Sequence, residues 1–224
     1  MKTIQALLAG VAIAALAATA ATATDKHDQH KKAPEHSDVL NGQVNMSSVI
    51  SDLKLDVYDV DGDVVGTSVA MGNSASVATL NNTNVTNTQI ANRGNIVAVL
   101  DAEIEKVDGD VFLTSAASCN QLAVGTDPDK TSVKNDQRCG FDPRVELNGK
   151  IANVGGDVVA TGAAFGNSAT VDAITRELSV NNTQRNEAPI GADVDLTVRR
   201  VGGSVTATAA AVGNSLAVTH TPAP

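Results

Sequence analysis

The sequence predicts an all-β protein, either a repeat stack or a β-solenoid, built from four 47-residue units. A segment that starts at Val60 recurs with copies starting at Val107, Val154 and Val201, always 47 residues apart. Units copied at a fixed period usually stack on their neighbours. Apolar residues alternate with polar ones before each of these valines, and no proline falls inside the copied segments, as a hydrogen-bonded sheet requires.

The N-terminal residues predict a secretory signal peptide over residues 1–23. Lys2 is followed by an apolar run from Ala6 to Ala18 and then by small residues that suit a signal peptidase. The run is too short to cross a bilayer, so no membrane span is predicted. We therefore expect a secreted protein, extracellular or on the outer cell surface.

The rest of the chain is expected to contain a flexible leader, one repeat domain and a short tail. Residues 24–40 are polar and broken by Pro34, with little to bury, and are assigned to the leader. Three histidines fall there, and a solvated tail is favoured over metal capture. The four-unit β-repeat domain is assigned to residues 41–220 and the tail to residues 221–224.

Each unit is predicted to begin with a strand that has one buried face. The positions seven, five and three residues before each copy's first valine are mostly apolar, as in Leu53, Leu55 and Val57, and the positions between them are mostly charged or polar. This period of two is typical of a half-buried strand.

A tight turn is expected next, at Asp-Gly or Gly-Gly pairs. Such pairs suit two-residue type I′ hairpin turns because these turns need positive φ. A calcium loop is disfavoured because the carboxylates disappear in later copies while one glycine stays. The glycines assigned to this structural role are Gly62, Gly109, Gly156 and Gly203.

A second strand is predicted to end at a corner containing asparagine, and a third short strand follows, from Ala75 in the first unit. Stacking of the units would place the corner asparagines in one column, about 4.8 Å apart. These asparagines are Asn73, Asn120, Asn167 and Asn214. The Asn-, Thr- and Gln-rich stretches between units, such as residues 81–89, are either side-chain ladders or plain surface loops.

The two cysteines, Cys119 and Cys139, are predicted to form a disulfide, since the chain is expected in an oxidising compartment. A catalytic thiol or a metal site would need a partner motif that the sequence lacks.

Composition and motifs argue against several other functions. The formal net charge of −9 disfavours nucleic acid, which requires clustered Lys and Arg. No catalytic constellation and no phosphate-binding glycine motif is present, so no catalytic residue, cofactor or metal ligand is assigned and the protein is predicted not to be an enzyme.

The segment from Ala164 to Asp172, Ala-Phe-Gly-Asn-Ser-Ala-Thr-Val-Asp, resembles the Gly-Asn-Ser-Ala corner of curlins, the bacterial functional-amyloid subunits. Similar corners lie at Met71–Val77 and Val212–Val218. Curlin repeats are shorter and carry glutamines beside the corner, where this chain has alanine or threonine. The pattern is also similar to that of the holdfast-anchor surface proteins of stalked bacteria.

This resemblance, with the repeat stack, implies a secreted non-enzymatic structural or adhesive surface protein. Neither end of the repeat domain carries a recognisable capping repeat, so we expect self-association by edge-to-edge strand addition into a homo-oligomer or fibre, with other surface proteins or polysaccharide as further partners. The alternative is a monomeric β-solenoid binding module that presents its inter-unit loops to a polysaccharide or a protein.

Overall fold

A computed structural model of the chain describes residues 37–80, 82–127 and 129–222, and these residues form 12 β-strands and no helix. The predicted signal peptide and most of the predicted leader lie outside the described residues. In chain order the strands are β1 Ser37–Asn45, β2 Val49–Val60, β3 Val64–Thr79, β4 Thr83–Ala91, β5 Asn95–Val107, β6 Val111–Thr126, β7 Lys130–Cys139, β8 Asp142–Val154, β9 Val158–Ile174, β10 Glu177–Asn186, β11 Gly191–Val201 and β12 Val205–Thr221.

The strands form three four-stranded parallel sheets, and each sheet takes every third strand. Sheet A has the order β1-β4-β7-β10, sheet B β11-β8-β5-β2 and sheet C β12-β9-β6-β3. The chain therefore winds through the three sheets four times, and we number these turns coil 1 (β1–β3), coil 2 (β4–β6), coil 3 (β7–β9) and coil 4 (β10–β12). The prediction of an all-β solenoid is confirmed, with one coil per 47-residue unit.

Stacking in register explains the constant period. Val60, Val107, Val154 and Val201 are successive partners across sheet B. Sheet A keeps its register although the steps along the chain are 46, 48 and 47 residues, as in Ser37 with Thr83 and Thr83 with Thr131. The linkers between strands absorb the one-residue differences, so the sheets do not slip.

Three details of the sequence prediction are wrong. The Asp-Gly and Gly-Gly pairs are not hairpin turns, because β2 and β3 belong to different sheets and every strand pairing is parallel. The strand predicted from Ala75 continues the preceding one, since β3 runs from Val64 to Thr79 through the corner. Residues 37–40 belong to β1 rather than to the leader, because they pair with β4.

The interior between sheets B and C is filled by columns of aliphatic side chains. Leu100, Leu147, Ile104 and Ile151 are at most 1% exposed and belong to one hydrophobic cluster. Complete burial of such a side chain contributes about 1.5–3 kcal/mol. A second cluster is half alanine and also contains Ile96, Val145, Phe141 and the two cysteines.

A left-handed residue precedes the first valine of each copied segment. Asp59, Lys106, Asn153 and Arg200 have φ of 63°, 58°, 56° and 56°. Neither this residue nor the one before it is buried, so the alternation of sides shifts by one position and the valine after it still faces the interior. This is the position where positive φ occurs, rather than at the glycines of the turn.

Candidate functional site: the side-chain ladders and the end coils

The corner asparagines lie in one column inside the solenoid. The amide nitrogen of Asn73 donates to Oδ1 of Asn120 at 2.8 Å, Asn120 donates to Asn167 at 2.7 Å, and Asn167 donates to Asn214 at 2.8 Å. Asn120 and Asn167 are fully buried. Each of these two also donates to a backbone carbonyl of sheet A, of Arg138 and Arg185 respectively. The column thus joins the coils to each other and sheet C to sheet A.

The residue before each asparagine is glycine in three of the four coils, and the corner is crowded at Gly72 and Gly166 but open at Gly213 in coil 4. A Cβ atom on Gly72 would lie 2.6 Å from the carbonyl oxygen of Cys119 and 2.8 Å from Cδ1 of Ile96. In coil 2 this position is Cys119, which forms the predicted disulfide with Cys139. The bond joins β6 of coil 2 to β7 of coil 3, so the cysteines form a covalent link between the two middle coils.

Two further ladders run along the inner side of sheet A, in the stretches that sequence analysis left open between ladder and loop. The first is made of asparagines, with amide-to-amide distances of 2.5–2.6 Å, and the second of glutamines, at 2.8–2.9 Å. The asparagines are Asn41, Asn87, Asn135 and Asn182, and the glutamines are Gln43, Gln89, Gln137 and Gln184.

The glutamines also reach the corners from across the interior. Nε2 of Gln43 donates to the carbonyl of Ser74, and the other three glutamines bond the equivalent carbonyls of Gln121, Ser168 and Ser215. Sequence analysis missed these residues because their spacing departs from 47 by one residue. Alignment of the Asn-x-Gln triplet in each unit would have found them.

The turn glycines stack closely from coil to coil. The amide of Gly156 donates to the carbonyl of Gly109, and that of Gly203 donates to Gly156, both at 3.0 Å. A Cβ atom on Gly203 would lie 2.6 Å from the Gly156 oxygen, whereas one on Gly62 in coil 1 would meet nothing within 4 Å. In coils 2 to 4 the turn glycine is therefore needed for close approach to the turn of the preceding coil. Gly62 in coil 1 has no such neighbour among the described residues.

An aspartate follows each turn glycine in three coils and binds the next coil. Oδ1 of Asp63 accepts from the amide of Asp110, Oδ1 of Asp110 from Asp157, and Oδ1 of Asp157 from Ser204, at 2.7–2.8 Å. In the part of the chain that the structure describes, no three His, Cys, Asp or Glu side chains come together as a metal site would require.

Coils 1 and 4 each have a hydrogen-bonded neighbour on one side only among the described residues. On sheet B their inward side chains are accordingly half-buried, although they belong to the same columns as the buried core. In coil 1 these are Leu53, Leu55, Val57 and Val60, and in coil 4 they are Val194, Leu196, Val198 and Val201.

The outer surface differs between sheets B and C. Sheet B carries charged columns around a shallow depression of about 500 Å³. Lys106 lies over the ring of Tyr58, 4.3 Å from its centroid, and the hydrogen bond it donates to the Tyr58 hydroxyl raises the pKa of Lys106.

On sheet C, the edge strands β3 and β12 contain no Asp, Glu, Lys, Arg or Pro. Within the described residues no helix has the length and apolar character needed to cross a membrane.

A parallel three-sheet solenoid whose coils are joined by internal side-chain ladders defines a structural repeat protein. The chain belongs to the holdfast attachment protein D family, HfaD, whose family model matches residues 11–177 and 152–223. Membership indicates an adhesive role in holdfast attachment at the cell surface, and it confirms the resemblance to holdfast proteins. The resemblance to curlins stays a prediction from the corner motif. No curated protein and no solved structure matches the chain.

Proposed function

We propose that the mature chain is a secreted, non-enzymatic adhesive subunit of the holdfast attachment apparatus that self-associates by edge-to-edge strand addition. The observation that carries the proposal is the pair of uncovered edges at coil 1 and coil 4 of the described solenoid. Each edge presents three parallel strands whose outward-facing backbone N–H and C=O groups can pair with a further strand.

The sequences of the edge strands favour pairing. Soluble proteins usually protect an edge with lysines, prolines, bulges or short strands. Here β3 is 16 residues long and β12 is 17 residues long, and neither contains a charged Lys, Arg, Asp or Glu or a proline. Strand addition would also cover the half-buried aliphatic columns of the end coils, and burial of apolar surface stabilises by about 25 cal/mol per Å².

In this proposal the corner asparagines fix the register between subunits. A slip of one residue would turn every inward side chain outward, and the side-chain amides of Asn73 and Asn214 would face neighbours that cannot hydrogen-bond them. At the cell surface, a fixed register between subunits would yield an ordered fibre rather than an irregular aggregate.

The test is light scattering of the mature chain, residues 24–224, over a range of concentrations. We expect β-rich oligomers whose mass rises with concentration. The variant Ala209→Lys places a charge on the inward side of the coil 4 edge and should reduce association. The control Thr208→Lys places the same charge on the outer face and should not. A strictly monomeric wild-type protein at high concentration would overturn the proposal.

A second candidate is a binding module for polysaccharide or a protein partner, favoured by the depression on sheet B. Its walls combine carboxylates, which accept hydrogen bonds from hydroxyl groups, with lysines: Lys54, Asp56, Asp101, Glu103, Lys150 and Asp195. A glycan array with neutral, acidic and cationic sugars tests it. Binding that is lost in Asp101→Asn/Glu103→Gln, with oligomer formation unchanged, would support this candidate, and no binding to any glycan would remove the polysaccharide form of it.

A further inference from the structure

We propose that copies of this chain join head to tail with one polarity, with coil 4 of one copy seated on coil 1 of the next. This inference rests on the proposed self-association and adds its direction and its register. It follows from the orientation of the ladders and from the distribution of charge between the two end coils.

The asparagine ladders have a direction. In the corner column each amide nitrogen donates toward coil 4, from Asn73 onward, and the sheet A column runs the same way from Asn41 to Asn182. Among the described residues, Oδ1 of Asn73 and Oδ1 of Asn41 therefore accept no amide at the coil 1 end. Coil 4 presents the amide nitrogens of Asn182 and Asn214.

The glutamine ladder runs in the opposite direction. Gln184 donates to Gln137, Gln137 to Gln89 and Gln89 to Gln43. Coil 4 thus presents Oε1 of Gln184 as an acceptor, and coil 1 presents Nε2 of Gln43, whose second hydrogen remains after its bond to Ser74. Coil 4 placed on coil 1 in register joins all three ladders with a donor opposite an acceptor.

The outer charges match in the same register. Continuing the columns of sheet B from coil 4 onto coil 1 of a second copy places Arg200 beside Asp59 and Asp195 beside Lys54. It also places Arg199 in the column of Tyr58, whose ring already contacts the cationic group of Lys106 within the chain. The single unfavourable pair in this sheet is Asp193 with Asp52.

Charge disfavours contact between two coil 1 edges. Coil 1, residues 37–79, contains six aspartates and one lysine, whereas coil 4, residues 177–221, contains four acidic residues and three arginines. Contact between two coil 1 edges would also place the asparagine acceptors of one copy against the asparagine acceptors of the other. A contact between two different surfaces of the same chain can repeat from copy to copy. Because stacking coil on coil continues the solenoid in one direction and closes no ring, the product is an open filament.

The test is disulfide cross-linking of paired single-cysteine additions. Asp56→Cys and Thr197→Cys replace outer residues that lie in the same column of sheet B. Parallel neighbours in register have Cα atoms about 4.8 Å apart, within the range that a disulfide spans. The native cysteines are buried and bonded to each other, so they do not compete.

We expect the mixture of the two variants to form cross-linked dimers under oxidation, and each variant alone to form none. A mixture of Ile50→Cys with Thr197→Cys is the control, because these positions lie six residues apart along the strands, about 20 Å, in the proposed register. Cross-linking of either variant alone, or equal cross-linking in the control mixture, would overturn the polarity or the register.

Light scattering on the same samples separates the two proposals. If the protein forms no oligomers, self-association itself is wrong. If oligomers form but the Asp56→Cys and Thr197→Cys mixture does not cross-link, self-association stands and the head-to-tail inference is wrong. Reversal of one charge, as in Arg200→Asp, should weaken association about threefold, and the added Asp59→Arg should restore it, in line with an exposed ion pair.

Discussion

The middle coils and the end coils contain the same kinds of residue in the same columns, but only the middle coils have a neighbour on both sides. Leu100 in coil 2 is fully buried, while its column partner Leu53 in coil 1 is half-buried. Asn120 is fully buried and bonded on both sides, while Asn214 at the end of the same ladder is exposed. In a solenoid the energetic weight of a residue depends on its coil as much as on its type.

The difference in stability between middle and end coils should be largest for variants of the corner asparagine ladder. Asn120→Leu removes a bond from Asn73, a bond to Asn167 and a bond to the Arg138 carbonyl. Three polar groups, most of them buried, then lose a hydrogen-bond partner. We therefore expect the free energy of unfolding to fall by about 4 kcal/mol. Asn214→Leu should cost about 1 kcal/mol, since it loses the bond from buried Asn167 and a long, exposed bond to the Gln184 carbonyl. Urea denaturation followed by circular dichroism measures both, and equal losses would contradict the comparison.

The aliphatic columns provide the next largest effect. Leu100→Ala should destabilise by about 3 kcal/mol, because a fully buried side chain leaves a cavity. Leu53→Ala, one coil away in the same column, should destabilise by about 1 kcal/mol, because that side chain is already half in solvent. Thermal unfolding of the two variants at low protein concentration tests the difference. A larger loss for Leu53→Ala would mean that coil 1 is covered in solution.

The disulfide between the middle coils sharpens the comparison. The double variant Cys119→Gly/Cys139→Ala installs the residues that coil 1 and coil 2 have at the equivalent corner, Gly72 and Ala91. Loss of a cross-link that closes a 20-residue separation should lower stability by about 3 kcal/mol. A reducing agent should lower the stability of the wild type by a similar amount and leave the double variant unchanged.

The smallest effect is expected at the turns. Gly156→Ala brings a methyl group against the backbone of Gly109 and should destabilise by about 2 kcal/mol. Gly62→Ala, at the same position in coil 1, meets open space and should be nearly neutral. If both variants lose stability equally in the monomeric protein, turn conformation rather than coil-to-coil approach requires the glycine.

The sequence was sufficient for the solenoid, its period and the disulfide, because each depends on residues that recur or pair at fixed spacing. The corner asparagines lie in one column as the period of 47 indicates. Their function in fixing the register between subunits is a prediction.

Sheet A escaped prediction as a sheet because strand patterns assume an apolar inner face. Its inner residues include Asn87 and Gln89, which are at most 1% exposed. The side-chain amides hydrogen-bond to each other from coil to coil, so their burial leaves no unpaired polar group. The sequence of one strand taken alone does not show this pairing. The turn was misassigned for a related reason: glycine before a change of direction is typical of hairpins, but here it serves close packing against another coil.

The one-residue adjustments in the linkers of sheet A have a consequence for how this architecture can change in length. Because the linkers take up insertions and deletions while strand register is kept, a whole 47-residue module could be duplicated or removed without disturbing its neighbours. Each such event would alter the long dimension by one strand spacing, about 4.8 Å. The length of the solenoid can therefore change only in steps of one coil, and the number of modules determines how far the protein extends.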